Sequence, residues 1–212
     1  MKEELQEYAK QHTSRESEAL QFITKATAEE LQYDDMLSGR QIGTMLRLLV
    51  QTSNAMNILE VGMFTGYATL SMAEVLPDGG KITALEMNTL YMSIAERGFQ
   101  MSGIKSRINV IHGNARETCR DLTDTYDLIF LDADKQHYPQ YYADLKPKLK
   151  PGGLLVVDNV FWYGGVIELN DRKSNAVHEL NEILVKDPDM ETVMLDIRDG
   201  LTISRKRTHC PS

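Results

Sequence analysis

The sequence has no long apolar run and only two cysteines among its 212 residues. No stretch approaches the roughly 18 consecutive apolar residues of a membrane span. The charged amino terminus lacks the apolar segment of a secretory signal, so we expect a cytoplasmic protein that makes no contact with a membrane. Cys119 and Cys210 have no metal-ligand spacing, which favours free thiols without a catalytic role.

The chain also lacks an excess of positive charge and any linker rich in proline, glycine or serine. Its 23 Lys and Arg residues against 31 Asp and Glu residues give a formal net charge of -8, which argues against a surface built for nucleic acid. The composition, 42% hydrophobic and 25% charged, is that of a globular protein. We therefore expect a single domain over residues 1–212 that acts on a small molecule.

The hydrophobic pattern alternates between helix and strand. Two helices joined near His12 to Ser14, and a third after Ser38 and Gly39, are predicted before residue 50. Five strand patterns with helices between them then predict a parallel sheet, and two more flank an Asp-Gly turn typical of an antiparallel hairpin. The predicted strands are 57–61, 81–86, 108–112, 126–132, 153–158, 192–197 and 201–206. The predicted later helices are 68–76, 90–101, 116–122, 139–149 and 174–185.

These elements predict an α/β fold with a Rossmann-like, doubly wound sheet of seven strands. The sheet should be mainly parallel, with a C-terminal antiparallel hairpin and helices on both faces. Residues 1–50 would supply helices that cover the site, and residues 55–212 would form the core.

The first predicted strand ends in a turn that contains Gly62 and Gly66. Such a turn lets backbone N–H groups approach a ligand closely, although a tight turn without a ligand is the alternative. It does not match the G-x-G-x-x-G pattern of dehydrogenases. Glu86 ends the second strand, where a carboxylate can accept hydrogen bonds from both ribose hydroxyls. The turn and Glu86 together indicate a cofactor that contains adenosine.

Polar side chains end the next two parallel strands. Asp132 closes the fourth strand, and Asp158 and Asn159 close the fifth, so we expect them to meet at one edge of the sheet. Two carboxylates and an amide oxygen suit Mg²⁺, whereas caps of helices and turns are the alternative. Lys135 follows closely, and a nearby dication and partial burial should lower its pKa enough for a general base.

Three aromatic residues, Phe161, Trp162 and Tyr163, follow this acidic group. They have the flat apolar surfaces that could line the site of a planar substrate, and they could equally belong to the core. The pattern leaves both interpretations open.

Seven segments of the chain together resemble the divalent-metal-dependent class I S-adenosylmethionine O-methyltransferases, which include caffeoyl-coenzyme A and catechol O-methyltransferases. The segments are MLSG, LEVGMFTGYA, ALE, GNA, FLDADKQHY, VVDNVFWYG and RDGL. The resemblance covers nearly the whole chain. It implies an enzyme that moves a methyl group from S-adenosylmethionine to a hydroxyl of a catechol-like phenolic small molecule, assisted by a divalent metal such as Mg²⁺, and that forms a homodimer.

The resemblance also implies a role for individual residues. The implied cofactor-binding residues are Met36, Ser38, Glu60, Gly62, Met63, Ala68, Glu86, Ala115, Asp132 and Asp134. The implied metal ligands are Asp132, Asp158 and Asn159. Lys135 would be the catalytic base, acting with Asp132, and Tyr163 beside Trp162 would contact the substrate. The chain departs from many relatives at Ala68, where they have Ser, and at Tyr163, where they have Asn or Ser.

Three other functions are compatible with parts of this pattern. Bacterial relatives of the same fold methylate hydroxylated uridine in transfer RNA, but the acidic net charge and the lack of an arginine-rich segment between Gly165 and Leu180 disfavour nucleic acid. A protein that binds the cofactor without catalysis would not need both Lys135 and the acidic residues. A dehydrogenase would need the glycine pattern that is missing.

Overall fold

The structure, a computed structural model, describes residues 2–31 and 36–208. Nine α-helices lie within these described ranges. They are α1 Lys2–Gln11, α2 Glu18–Glu30, α3 Gly39–Ser53, α4 Tyr67–Ala73, α5 Thr89–Ser102, α6 Ala115–Asp121, α7 Tyr138–Leu145, α8 Gly165–Glu168 and α9 Arg172–Lys186. Short 3-10 helices occur at Lys105–Arg107, Lys135–His137, Lys146–Lys148 and Trp162–Gly164. In the described part of the chain, no helix has both the length and the apolarity needed to cross a bilayer.

The helices before residue 50 form as predicted. Ser17 caps α2, because its side chain accepts a hydrogen bond from the backbone N–H of Leu20 at 3.2 Å, one of the donors that a helix start leaves unpaired. The third helix, α3, begins at Gly39 and buries Ile42 and Leu46 on one face, as its apolar spacing requires.

Seven strands form one mixed sheet. They are β1 Asn57–Val61, β2 Lys81–Glu86, β3 Ile108–His112, β4 Tyr126–Leu131, β5 Leu149–Asp158, β6 Met190–Leu195 and β7 Leu201–Lys206. The strand order is β3-β2-β1-β4-β5-β7-β6. The pairs β1 with β4, β2 with β3 and β4 with β5 are parallel, whereas β7 is antiparallel to both β5 and β6. The predicted mainly parallel sheet with an antiparallel end is confirmed.

Several boundaries differ from the sequence prediction, and two of the larger differences lie next to prolines and glycines. Strand β5 begins at Leu149 rather than at residue 153, since Leu149 already pairs with Tyr126 and a register irregularity follows. The segment Pro151-Gly152-Gly153 lies inside this irregular start. Helix α7 ends at Leu145, because Pro147 lacks an N–H and restricts the residue before it.

The chain divides into two compact units, Met1–Met56 with Met63–His112 and Asn57–Gly62 with Gly113–Ser212. In the first unit, α2 packs closely on α5. A Cβ atom at Gly98 would lie 2.5 Å from Ile23 Cγ1, so only glycine permits this approach. Ile23 belongs to a buried cluster with Leu20, Leu70 and Phe99.

The core of the second unit consists of strand residues that are buried throughout. Leu128, Ile129 and Phe130 of β4 have no exposed surface, as expected for a central parallel strand covered on both sides. Cys119 of α6 is a free, buried thiol whose pKa burial raises to about 12, which agrees with a non-catalytic cysteine. Cys210 lies outside the described residues.

Candidate active site

The turn after β1 passes close to the residue that follows β4. Gly62 has a φ of +94°, and a Cβ atom there would lie 2.4 Å from the backbone oxygen of Asp132. The N–H of Asp132 donates to the backbone oxygen of Val61 at 3.0 Å. Both the positive φ and the close approach require glycine, so Gly62 and Asp132, two predicted site residues, are held together.

The continuation of this turn is held by Glu86 at the end of β2. One oxygen of Glu86 accepts a hydrogen bond from the N–H of Phe64, and the other accepts from the N–H groups of Met87 and Asn88, each at 2.8 Å. The carboxylate thus fixes the backbone of the turn. Each carboxylate oxygen has two lone pairs, so one acceptor position, on the oxygen bonded to Phe64, is left for a ribose hydroxyl, and the predicted ribose role stays a prediction.

The other predicted cofactor residues differ widely in exposure. Met63 and Ala68 are almost completely buried, and Ser38 is also buried, whereas Met36 is half exposed. Glu60 in β1 is buried opposite Phe130 of β4. These placements leave the predicted contacts with a cofactor untested.

Asp134 belongs to a small hydrogen-bonded group that the sequence did not reveal, and Ala115 precedes one of its members, Arg116. Arg116, next to Ala115 at the start of α6, donates from Nη1 to Nε2 of His137 at 2.9 Å. A guanidinium can only donate, so the proton of His137 is on Nδ1, which donates to Oδ2 of Asp134 at 2.8 Å. Gln136 donates to the same oxygen at 2.7 Å. Burial raises the pKa of Asp134, but the hydrogen bonds from Gln136 and His137 lower it below its usual value overall.

Asp132, Lys135 and Asp158 form a buried charged group at the carboxyl ends of β4 and β5. Lys135 Nζ lies 2.5 Å from Asp132 Oδ1, and the 3-10 helix Lys135–His137 brings these side chains together across three residues. Asp158 is 3% exposed, and its Oδ1 accepts the N–H of Asn159 at 2.8 Å. The structure therefore collects the predicted metal ligands and the predicted base in one place.

This group contains two carboxylates, Asp132 and Asp158, and one amine, Lys135. Burial, and then the negative charge of Asp132, raise the pKa of Asp158 to about 7, although Lys135 opposes this shift. The single ammonium of Lys135 compensates only one of the two carboxylates, so ionisation of both leaves a net negative charge in a site largely removed from solvent. A bound cation would neutralise that charge.

In the protein without a cation the pKa of Lys135 is not lowered, and its lowering beside a dication stays a prediction. Burial alone, the largest influence, does lower the pKa of Lys135, but the charge of Asp132 and contacts with Asp132 and Tyr138 raise it, so the net pKa is above the usual lysine value. The sequence indicated burial correctly, but it did not show that an anion would lie so close to the amine.

Tyr138, which had no predicted role, contacts this charged group. The side chain is fully buried, its hydroxyl donates to the backbone oxygen of Asp158 at 3.0 Å, and Lys135 Nζ lies 5.2 Å from its ring centroid. Tyr138 thus contacts residues from both strand ends. The sequence feature that could have indicated this contact is the spacing of three residues between Lys135 and Tyr138, which places both side chains on the same side of a helical turn.

The oxygen donors fit a hard cation. Asp132, Asp158 and the Asn159 amide are the ligand types that Mg²⁺ prefers, and the mutual repulsion of the two buried carboxylates is the kind that a dication relieves. Within residues 2–31 and 36–208 there is no cluster of three or more His, Cys, Asp or Glu side chains with metal-binding geometry, so the amide of Asn159 would be essential as the third ligand.

The aromatic residues after Asn159 occupy a strained surface loop. Trp162 and Tyr163 have positive φ values of 45° and 53°, and their rings are 5.4 Å apart in an edge-to-face arrangement. Tyr163 is 79% exposed, so the alternative that it is a core residue is wrong, whereas Trp162 and Phe161 are half-buried. Exposed rings on a strained loop are typical of a binding surface.

Asp199, read from the sequence only as a turn residue, lies against this loop. Its Oδ1 accepts the N–H of Tyr163 at 2.7 Å. Burial raises the pKa of Asp199 above its usual value, while the hydrogen bond from Tyr163, the charge of Lys135 and the amide of Asn159 oppose that shift. A turn residue of the β6–β7 hairpin thus contacts the loop that follows β5.

Comparison with known proteins gives consistent matches over almost the entire chain. A model of the O-methyltransferase family matches residues 10–207. Caffeoyl-CoA O-methyltransferase 5 of Nicotiana tabacum is 34% identical over 208 residues, which cover 92% of this chain and 86% of that protein.

Two crystal structures are similar over the same extent. The O-methyltransferase TomG from Streptomyces achromogenes, in complex with SAM, matches with a TM-score of 0.87 and 26% identity, covering 96% of each chain. An O-methyltransferase from Bacillus cereus, in complex with SAH, matches with a TM-score of 0.86 and 25% identity, covering 96% of this chain and 97% of that one.

Proposed function

Since this chain belongs to the O-methyltransferase family, we propose that it transfers the methyl group of S-adenosylmethionine to a hydroxyl of a catechol-like phenol, with Mg²⁺ as cofactor. The observation that carries the proposal is the buried group of Asp132, Lys135 and Asp158 at two adjacent strand ends. It combines an acidic pair in need of a cation with an amine that can exchange a proton.

The cofactor would be held by residues from the strand ends and from the helices that follow them. Bound SAM and SAH in the two similar crystal structures support this part of the proposal. The glycine turn would bring backbone N–H groups near the methionine part, and Glu86 would accept hydrogen bonds from the ribose. The residues proposed to contact the cofactor are Met36, Ser38, Glu60, Gly62, Met63, Ala68, Glu86, Ala115, Asp132 and Asp134.

Asp132, Asp158 and Asn159 would hold the cation through oxygen atoms. A bound Mg²⁺ would stabilise the phenolate form of an acceptor with two vicinal oxygens. Asp158 must lose its proton to act as a ligand, and its pKa of about 7 places this event near neutral pH.

Lys135 is the residue proposed to take the proton from the acceptor hydroxyl. Its ammonium is paired with Asp132 in the described structure, so it can accept a proton only after Asp132 finds another partner and the ammonium gives up its own. Trp162 and Tyr163, on their exposed loop, would contact the ring of the acceptor. The acceptor oxygen would attack the methyl carbon in line, so that the O–C bond forms as the S–C bond breaks and S-adenosylhomocysteine leaves as a neutral thioether. Positioning alone can lower the barrier of such a step by about 7–11 kcal/mol.

The experiment is transfer of labelled methyl from S-adenosylmethionine to a panel of catechols and caffeoyl esters, with Mg²⁺ or with EDTA. We expect a product that requires the cation. Asp158→Ala should abolish turnover but leave affinity for S-adenosylhomocysteine nearly unchanged. Asp187→Ala, which removes an aspartate paired with Lys146 elsewhere in the same unit, is the matched control. Full turnover of Asp158→Ala in EDTA would refute the role of the cation.

A single domain, a homodimer and a cytoplasmic location stay predictions alongside this function. The first two are open to a direct measurement. Light scattering coupled to gel filtration would give the mass of the particle, and one cooperative unfolding transition would support one domain.

A further inference from the structure

The loop that carries the aromatic residues is attached to the β6–β7 hairpin by three backbone donors. The N–H of Val160 donates to the backbone oxygen of Gly200 at 3.3 Å, and that of Phe161 donates to the backbone oxygen of Asp199 at 2.9 Å. The N–H of Tyr163 donates to the carboxylate of Asp199 at 2.7 Å. Only the last of these depends on a side chain.

The loop needs such an attachment because its backbone is strained. Asn159, Trp162 and Tyr163 all have positive φ values, between 45° and 58°, a conformation that side chains with a Cβ atom disfavour. Strained residues persist only where the surroundings fix them. The hairpin also packs tightly here, since a Cβ atom at Gly200 would lie 2.8 Å from the Phe161 ring.

The second carboxylate oxygen of Asp199, Oδ2, has a different environment from the first. Oδ2 of Asp199 is buried and, within the described residues, has no hydrogen bond of standard geometry. The amide of Asn159 and the ammonium of Lys135 nevertheless lie close enough to act on the same carboxylate. An amide that donates its NH₂ to Oδ2 must direct its oxygen away from Asp199.

We propose that Asp199 is a positioning residue: one carboxylate oxygen holds the loop 159–164 through Tyr163, and the other orients the Asn159 amide so that its oxygen is presented as a cation ligand. The first part depends only on the hydrogen bonds described above. The second part rests on the proposed function, because it assumes that Asn159 binds a cation. A partner that orients a ligand in this way commonly changes metal affinity by about 10–100-fold.

The chain has a built-in reporter for the first part, because Trp162 is its only tryptophan. In Asp199→Ala we expect a shift in Trp162 emission, greater quenching by acrylamide, and amide exchange at Tyr163 that is about tenfold faster. Asp199→Asn keeps an acceptor for Tyr163 and should restore all three signals. Asp196→Asn, which removes the same charge from the same hairpin at an exposed position, should leave them unchanged.

The second part is tested by Mn²⁺ affinity, measured by electron paramagnetic resonance of the free ion. Asp199→Asn offers an NH₂ group rather than an oxygen to Asn159, so we expect its affinity for Mn²⁺ to fall about 10–100-fold although its loop signals are normal. Asp196→Asn should bind Mn²⁺ like the unaltered protein.

The outcomes separate the two parts from each other and from the proposed function. Wild-type Trp162 emission and Tyr163 exchange in Asp199→Ala would overturn the holding of the loop. Unchanged Mn²⁺ affinity in Asp199→Asn would overturn the orientation of Asn159. An unaltered protein that binds no Mn²⁺ would refute the cation site itself and with it the second part, while the fluorescence and exchange results would still decide the first.

Discussion

Lys135 Nζ lies 2.5 Å from Asp132 Oδ1, and both side chains are largely removed from solvent. This ion pair keeps the amine protonated in the protein without a cation, since the contact with Asp132 outweighs the effect of burial on the pKa of Lys135. The ammonium charge of Lys135 stabilises the protein without a cation, whereas the proposed role as a base requires the neutral amine. These two demands on Lys135 are opposite.

Substitution of Lys135 separates these demands. In Lys135→Met, the buried carboxylates lose their counter-charge, so we expect the free energy of unfolding near neutral pH to fall by about 3 kcal/mol. Lys135→Arg retains the charge and should recover part of that stability. Because arginine does not release its proton, both variants should lose about 10²–10⁴-fold in the rate of methyl transfer. Urea denaturation and labelled-methyl assays measure the two effects. An active arginine variant would exclude Lys135 as the base.

Asp158 should make the stability of the cation-free protein depend on pH. Its pKa of about 7 in the folded protein lies above the value of about 4 in an unfolded chain. The folded protein thus holds this proton more tightly, so the stabilisation is fully present below about pH 4 and is lost as the pH rises through about 7. Relative to Asp158→Asn, we expect the unfolding free energy to fall by about 2–4 kcal/mol across this window.

The measurement is urea denaturation of both proteins in EDTA at several pH values. The difference between them isolates Asp158 from the other carboxylates, because those titrate in both proteins. Parallel pH profiles would show that Asp158 ionises normally. Added Mg²⁺ should raise the melting temperature of the unaltered protein more above pH 7 than near pH 5, because a proton on Asp158 competes with the cation.

Gly62 and Gly103 form a matched pair for testing the close approach at the glycine turn. Both have positive φ, +94° and +73°, but a Cβ atom at Gly62 would lie 2.4 Å from the Asp132 oxygen, whereas one at Gly103 would meet nothing within 4 Å. Gly103→Ala should therefore cost only the backbone strain, about 1 kcal/mol. Gly62→Ala adds a clash with backbone and should cost about 3 kcal/mol or more. Equal losses in urea denaturation would contradict the close approach.

Much of the site was predictable because it lies at strand ends. Buried strands are recognisable by their apolar runs, and the residue after each one falls at the same edge of a parallel sheet, which is what identifies Asp132, Asp158 and Asn159. The contact of Asp199 with Tyr163 spans 36 residues. It depends on how the hairpin folds back along β5, so the Asp-Gly pair revealed the turn but not its contact with the loop.

Other features of the site depend on distances between atoms that the sequence does not reveal. In the protein without a cation, burial and an adjacent anion act oppositely on the pKa of Lys135, and only the separation of the two atoms shows which effect is stronger. Tyr163 could have been core or surface, since an aromatic residue in a loop gives no periodic pattern. The hydrogen bond of His137 with Arg116 joins residues 21 positions apart, so no local sequence pattern indicates it.

His137 should influence cofactor binding through Asp134 without touching the cofactor. It is held between the guanidinium of Arg116 and the carboxylate of Asp134, so His137→Ala leaves Asp134 with fewer donors and freer to rotate. If Asp134 contacts the cofactor as proposed, the loss of one such hydrogen bond, about 1 kcal/mol, should weaken S-adenosylhomocysteine binding about fivefold.

His137→Gln can accept from Arg116 and donate to Asp134, and should restore most of the affinity. His178→Ala, in α9, is the control, and calorimetric titration is the measurement. Unchanged affinity in His137→Ala, with Asp134→Ala clearly weakened, would show that Asp134 is positioned without His137, whereas unchanged affinity in both would remove Asp134 from the cofactor site.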